Sequence, residues 1–208
     1  MAKVQGVKEK LHWPLYDAFL VPPQNGGSTV PTFSSEMVKR DPRVLRFFVD
    51  VQNKTKLETN LQAAGVLPSL NSFEARAMRV VVSPITNKRE PKDDKRSETD
   101  NILADLIYSS VTTLLVGEKV MIEMPTFYFP SGAGVSPGAQ NVPSHGNPDP
   151  MATFRFSEPV TIDANQNFRV EMMFPHGVPG NDNSGLSGVK GPFRLWVVLD
   201  GYLTRDVQ

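Results

Sequence analysis

Apolar residues in this chain recur at every second position in short runs, the spacing of half-buried β-strands. The run Thr112–Pro130, TTLLVGEKVMIEMPTFYFP, sets the pattern, with two apolar stretches flanking Gly117-Glu118. A glycine at the first central position of a two-residue turn predicts a type II′ hairpin. On the second arm Val120, Ile122 and Met124 alternate with Met121 and Glu123, so the first three should form an inward row. Pro125 has no N–H for a ladder and marks an edge or a bend before Phe127 and Phe129. The stretch reads as the central hairpin of a β-sandwich.

The same period predicts a strand over Leu45–Val51, with Leu45, Phe47, Val49 and Val51 on one face, and a weaker strand over Lys56–Gln62. Ser72–Ser83 reads as a long strand with Phe73, Ala75, Ala77 and Val81 inward and Glu74 and Arg76 outward. Thr153–Ser157, Pro159–Asp163, Asn167–Pro175 and Phe193–Leu203 complete about eight strands. The only helical signal is short: Asp100 as N-cap for Asn101–Ser109, with Ile102, Leu106 and Ile107 facing the core. The expectation is an all-β, single jelly-roll β-sandwich of about eight strands with one short helix. Closed barrels and other sandwiches are its competitors.

Residues 1–42 lack a clean period and read as an extended N-terminal arm on a jelly-roll domain of residues 43–208. The arm carries the apolar cluster Leu11, Trp13, Leu15, Tyr16, Phe19 and Leu20, cut by Pro14 and closed by Pro22-Pro23. A flexible-linker composition follows at Gln24–Ser28. Two readings stay open: the arm packs on its own domain, or it reaches a neighbouring subunit, since an exposed apolar patch of this kind marks an interface.

Composition narrows the function. The 22 basic and 22 acidic residues cancel, which argues against nucleic-acid binding through bulk charge. The absence of cysteine excludes disulfides, thiolate metal sites and thiol nucleophiles. No apolar run is long enough for a membrane helix, and MAKVQGVKEKLHW lacks the apolar core of a signal peptide, so synthesis in the cytoplasm is expected.

Candidate chemistry is thin. Gly134-Val135-Ser136-Pro137-Gly138 satisfies the nucleophile-elbow spacing, but Pro137 removes the amide that the oxyanion hole requires. Asp93, Asp94, Glu98 and Asp100 lack the calcium-loop pattern and alternate with lysines. His145 and Asp149 are close in sequence, with His12 and His176 far away, too few ligands for a metal. Glu58, Glu123 and Glu171 would serve a glycosidase only if two of them converged on one cleft. Asn53-Lys54-Thr55 fits a glycosylation site without a secretion signal to use it. Phe127, Tyr128, Phe129, Phe154, Phe156 and Trp196 could build a stacking platform, although Trp196 sits in an apolar strand and fits a core or subunit interface better. No catalytic, metal or cofactor site is expected.

The runs LQAAGVLPSLNSFEARAMRVVV, ADLIYSSVTTLLVGEKVMIEMPTFYFPSGAGV, FSEPVTIDANQNFRVEMMFP and FRLWVVLDGYLTRDVQ, spanning about residues 61–208, resemble the jelly-roll capsid proteins of tailless icosahedral viruses of bacteria and archaea. Many of those viruses carry an internal membrane. The length allows one roll, so the chain is similar to the single-roll type. The resemblance implies a structural capsid protein of the virion, not an enzyme. Its partners would be copies of itself and other capsid proteins, with an internal viral membrane as a further neighbour. Neither a specific nucleic acid nor a small-molecule substrate is implied. The arm would then cross to a neighbour with Trp13, Tyr16, Phe19 and Leu20 at the subunit interface, leaving a folded domain if residues 1–30 were deleted. A β-sandwich carbohydrate-binding module, lectin-like, is the alternative.

Overall fold

An alternating run becomes a strand when one of its faces has an apolar layer to bury against, and here two sheets supply that layer to each other. The structure, a computed structural model, describes residues 8–21, 44–84, 106–131, 136–137, 143–144, 152–176 and 193–206. Its strands are β1 (Lys8–His12), β2 (Leu15–Val21), β3 (Val44–Phe47), β4 (Ser72–Pro84), β5 (Val111–Val116) and β6 (Lys119–Pro125). They continue with β7 (Ser136–Pro137), β8 (Pro143–Ser144), β9 (Phe154–Ile162), β10 (Phe168–Met173) and β11 (Phe193–Asp206). One sheet is ordered β1-β11-β4-β9, with β2 also paired to β11. The other is ordered β3-β10-β5-β6, and β7 and β8 form a small separate ladder.

The topology is diagnostic. Taking β2, β3, β4, β5, β6, β9, β10 and β11 as first to eighth, one sheet reads first–eighth–third–sixth and the other second–seventh–fourth–fifth. That is the order of a jelly roll, an eight-stranded double sheet built from two Greek keys. β1 is an addition that extends the first sheet along the far half of β11, pairing Lys8–His12 with Asp206–Tyr202.

The core lies between the sheets. Leu195, Val197 and Leu199 of β11 face Phe168, Val170 and Met172 of β10 and Leu114 and Val116 of β5, all buried. Each such side chain contributes about 1.5–3 kcal/mol through burial. Phe19 of β2 meets Phe47 of β3 edge-on at 4.9 Å between ring centroids, tying the first strand pair across the sandwich. The Gly117-Glu118 turn is as expected: Val116 pairs with Lys119, Gly117 has φ +61°, and Glu118 stays out of the left-handed region.

Several expectations are corrected. The hairpin β5–β6 is at the edge of its sheet rather than at its centre, with β6 outermost. Within it, Leu114 pairs with Ile122 but Leu115 with Val120, so Met121 is an extra residue and the inward row shifts. Val120 ends up 49% exposed, while Met121, Ile122 and Met124 pack on the core. A bulge also interrupts β4, where Asp200 pairs with Ala77 and Gly201 with Ala75, skipping Arg76. The inward row therefore changes from Phe73 and Ala75 to Met78 and Val80, and Val81 faces outward. A Cβ on Gly201 would lie 2.1 Å from the Glu74 carbonyl oxygen, so the opposing bulge position admits no side chain.

β3 stops at Phe47 because Phe48 takes φ +69° and turns its own ring into the core. Lys56–Gln62 is a turn with a single bridge, Thr59 to Asp17, rather than a strand. The two segments expected over residues 153–163 are one irregular strand, β9. Leu106–Tyr108 is a helical turn, and Thr126–Tyr128 adds a short 3-10 turn; residues 101–105 of the expected helix lie outside the described residues. Residues 8–21 are strands of the sandwich, so the arm-and-domain boundary at residue 42 does not divide the described part of the molecule.

Candidate functional site

Two places stand out, and they are opposite in character. The first is the seat of β2. The run LYDAFLV puts Leu15, Asp17 and Phe19 on its inward face, so a carboxylate enters an otherwise apolar layer. Asp17 is fully buried. Its oxygens lie 2.8 and 2.9 Å from Lys54 Nζ, whose side chain is itself 4% exposed. The Phe48 backbone N–H donates to Asp17 Oδ2 at 2.7 Å, and the Lys54 ammonium sits 4.5 Å from the Phe19 ring centroid. Burial pushes the Asp17 carboxyl above its usual range, and Lys54, the Phe48 N–H and Thr59 pull it back.

The chain from Thr55 to Asn60 then closes this edge. Tyr16 N–H donates to Asn60 Oδ1, Asn60 Nδ2 to Pro14 O, Thr59 Oγ1 to Tyr16 O, and Tyr16 O–H to Lys56 O. Glu58 caps the turn through Thr55 N–H and Oγ1. An edge strand that would otherwise expose free main-chain groups is covered.

The second place is the end of the other sheet where β5 begins and β6 finishes. Tyr108, Phe127 and Tyr128 are 73%, 47% and 50% exposed, and their rings stack with centroids 5.9 and 4.8 Å apart. The neighbouring outward row runs Val44–Met173–Val111–Pro125 in register across all four strands, with Met173 exposed. The helical turn before β5 and the 3-10 turn after Pro125 bring the three rings together. Aromatic groups stacked on one another in water are the usual signature of a contact surface.

The expected interface residues divide. Phe19 is in the core and Leu20 is buried on the opposite face of β2, so neither is available as an anchor for a neighbour; their apolar character serves their own sheet. Tyr16 is half-buried, and of the four only Trp13 is substantially exposed, its backbone N–H donating to Gly201 O. Of the expected platform, Phe127 and Tyr128 are exposed, but Phe129, Phe154 and Phe156 pack into or against the core. Trp196 is half-buried and donates Nε1–H to Leu57 O. Sequence reasoning missed Tyr108 and the Asp17–Lys54 pair. The one hint was an aspartate inside an apolar strand.

Among the described residues Glu58, Glu123 and Glu171 do not converge on one cleft. Glu171 and Glu123 do share an outward row, each in register with Thr113, but on an open sheet face rather than in a cleft. Glu171 is bonded by Arg169 and Arg46, Glu123 by Thr113 Oγ1. Hydrogen bonds from Lys10 and Arg76 hold the Glu74 carboxyl below its usual range. Ser136 lies in the short strand β7, not at a strand-to-helix elbow. Among the described residues no group of three or more His, Asp or Glu could hold a metal ion, and no helix is long and apolar enough to cross a membrane. His145, Asp149 and the acidic residues between 93 and 100 lie outside the described residues.

Fold and surface together define an all-β jelly-roll sandwich with one edge sealed and one end aromatic. No family model, curated protein or solved structure matches the chain.

Proposed function

We propose that the chain is a structural capsid subunit of the single jelly-roll kind, assembling with copies of itself and with other shell proteins of a virion. The observation that carries this reading is the exposed stack of Tyr108, Phe127 and Tyr128 beside the apolar row of the β3-β10-β5-β6 sheet. Aromatic side chains of this kind dominate the energy of protein contacts. The strand order supports it, because jelly rolls recur in viral shells. Fold alone does not assign function, so the surface has to supply the argument.

The same three rings would also suit stacking on a sugar, which keeps a lectin-like module as the second reading. Negative-stain microscopy of the purified protein, run beside a glycan array, separates the two. Shells, sheets or regular oligomers without glycan binding support the capsid reading. Single particles that retain one class of glycan support the lectin and contradict the capsid.

A further inference from the structure

We propose that the Lys54 amine and the Asp17 carboxyl condense to an amide, so that a covalent cross-link ties β2 to the segment following β3. The proposal holds whether or not the chain assembles.

The reacting groups are already in contact. Lys54 Nζ lies 2.9 Å from Asp17 Oδ1 and 2.8 Å from Oδ2. A nitrogen that close to both oxygens is no more than about 3.2 Å from the carboxyl carbon, inside the roughly 3–3.5 Å of a near-attack arrangement. Asp17 is fully buried and the Lys54 side chain is 4% exposed, so the pair is held away from water. Groups fixed in this way react as though present at about 10⁵ M or more.

The backbone around the pair is unusual in a way that serves the reaction. Phe48 has φ +69° and Asn53 has φ +68°, a region that is costly for residues with a side chain. In that conformation the Phe48 N–H donates to Asp17 Oδ2 at 2.7 Å. A donor on that oxygen stabilises the negative charge that gathers there when the carbon is attacked. Asn53 immediately precedes Lys54, whose nitrogen is carried in over the Phe19 ring, 4.5 Å from its centroid.

An ion pair alone is a weak reason for this arrangement. Two buried charges often lose more hydration than their attraction returns, and apolar side chains of the same size would stabilise a core as well. Burial favours the neutral form of such groups, and it pushes the Asp17 carboxyl upward.

The step balances within the pair. The ammonium passes one proton to Oδ1, giving an amine and a carboxylic acid. The Nζ lone pair then attacks Cγ, and charge gathers on Oδ2 against the Phe48 N–H. The Cγ–Oδ1 bond breaks, and the departing hydroxyl takes a second proton from nitrogen and leaves as water. One ammonium and one carboxylate become one amide and one water, with no oxidant or activating group. The product has no charge to bury, and its oxygen still accepts from the Phe48 N–H. In a chain without cysteine it is a covalent brace that sulfur cannot supply.

The intact mass of the full chain, incubated at neutral pH and shown to be folded by a cooperative melt, tests this. The expected mass is lighter by one water than the sequence requires. The tryptic peptides bearing Asp17 and Lys54 should be found joined, with no cleavage after Lys54. Lys54→Arg keeps a cation in the seat but has no amine to attack the carboxyl, so it should have its full mass, as should Asp17→Ala. A folded wild-type chain at full mass overturns the cross-link, because the seated pair has then not reacted. A water loss that persists in Lys54→Arg, or that maps to other residues, overturns it as well.

Discussion

The two margins of the sandwich treat exposed surface in opposite ways. At β2 the chain seals its edge: Asp17 is buried against Lys54, the Thr55–Asn60 turn covers the main chain, and Trp196 is tethered to Leu57 O. At the β5–β6 end the chain leaves Tyr108, Phe127 and Tyr128 in water beside Met173 and Pro125. Bonding at the first margin is satisfied within one seat, and at the second the apolar surface is unmet. The difference separates residues that hold the fold from residues free to act on something else. Substitutions should therefore split cleanly between loss of stability and loss of association.

The largest effects belong to the sealed margin. Lys54→Met leaves a buried carboxylate without its cation and should cost about 3–5 kcal/mol in chemical denaturation. Asp17→Asn, which strands the ammonium instead, should cost a similar amount. The pH dependence gives the sign. Burial holds Asp17 above its ordinary 3.8, so the folded state binds its proton more readily than the unfolded chain does. Stability from this group then falls as pH rises through the window above 3.8. Without Lys54 the upward push is unopposed. The Lys54→Met deficit should accordingly be largest near neutrality and shrink as pH falls toward about 4. A deficit that grows on acidification would contradict the burial of Asp17.

Phe19→Ala should cost about 3–5 kcal/mol by emptying the space against Phe47. For the same reason, deleting residues 1–30 should unfold the domain rather than merely free it, since Leu15 and Phe19 are core residues. Thermal melts of the truncated chain check this. A cooperative transition unchanged from the intact chain would show that β2 is dispensable.

Smaller effects follow at the open end. Gly117→Ala has room for its methyl group but must hold φ +61°, which should cost about 1 kcal/mol. Changing Tyr108, Phe127 and Tyr128 together to Ser should shift stability by no more than about 0.5 kcal/mol per site, as at other exposed positions. It should nevertheless abolish association.

Much of the fold was legible because the period of two is a local property. The strands β4, β5, β6, β10 and β11 and the Gly117 turn follow from patterning and turn chemistry over a few residues. What escaped notice depended on partners distant in sequence. The bulges at Arg76 and Met121 reverse an inward row, and only the opposing strand shows that a residue has been skipped. β1 and β2 were hidden by Pro14 between them, and they become strands because β11 is long enough to pair both. Asp17 and Lys54 are separated by 37 positions, and nothing in either local run announces the other. The aromatic end was half legible: Phe127 and Tyr128 stood out, whereas Tyr108 joins them only once the helical turn and the 3-10 turn meet.

The central claim is that the open aromatic end joins this jelly roll to its own kind. Sedimentation velocity over a concentration series, comparing the intact chain with the Tyr108, Phe127 and Tyr128 triple serine variant, tests it directly. The account predicts heavier species for the intact chain that grow with concentration, and a single monomer boundary for the variant with an unchanged melt. Identical boundaries for the two proteins at every concentration would contradict it.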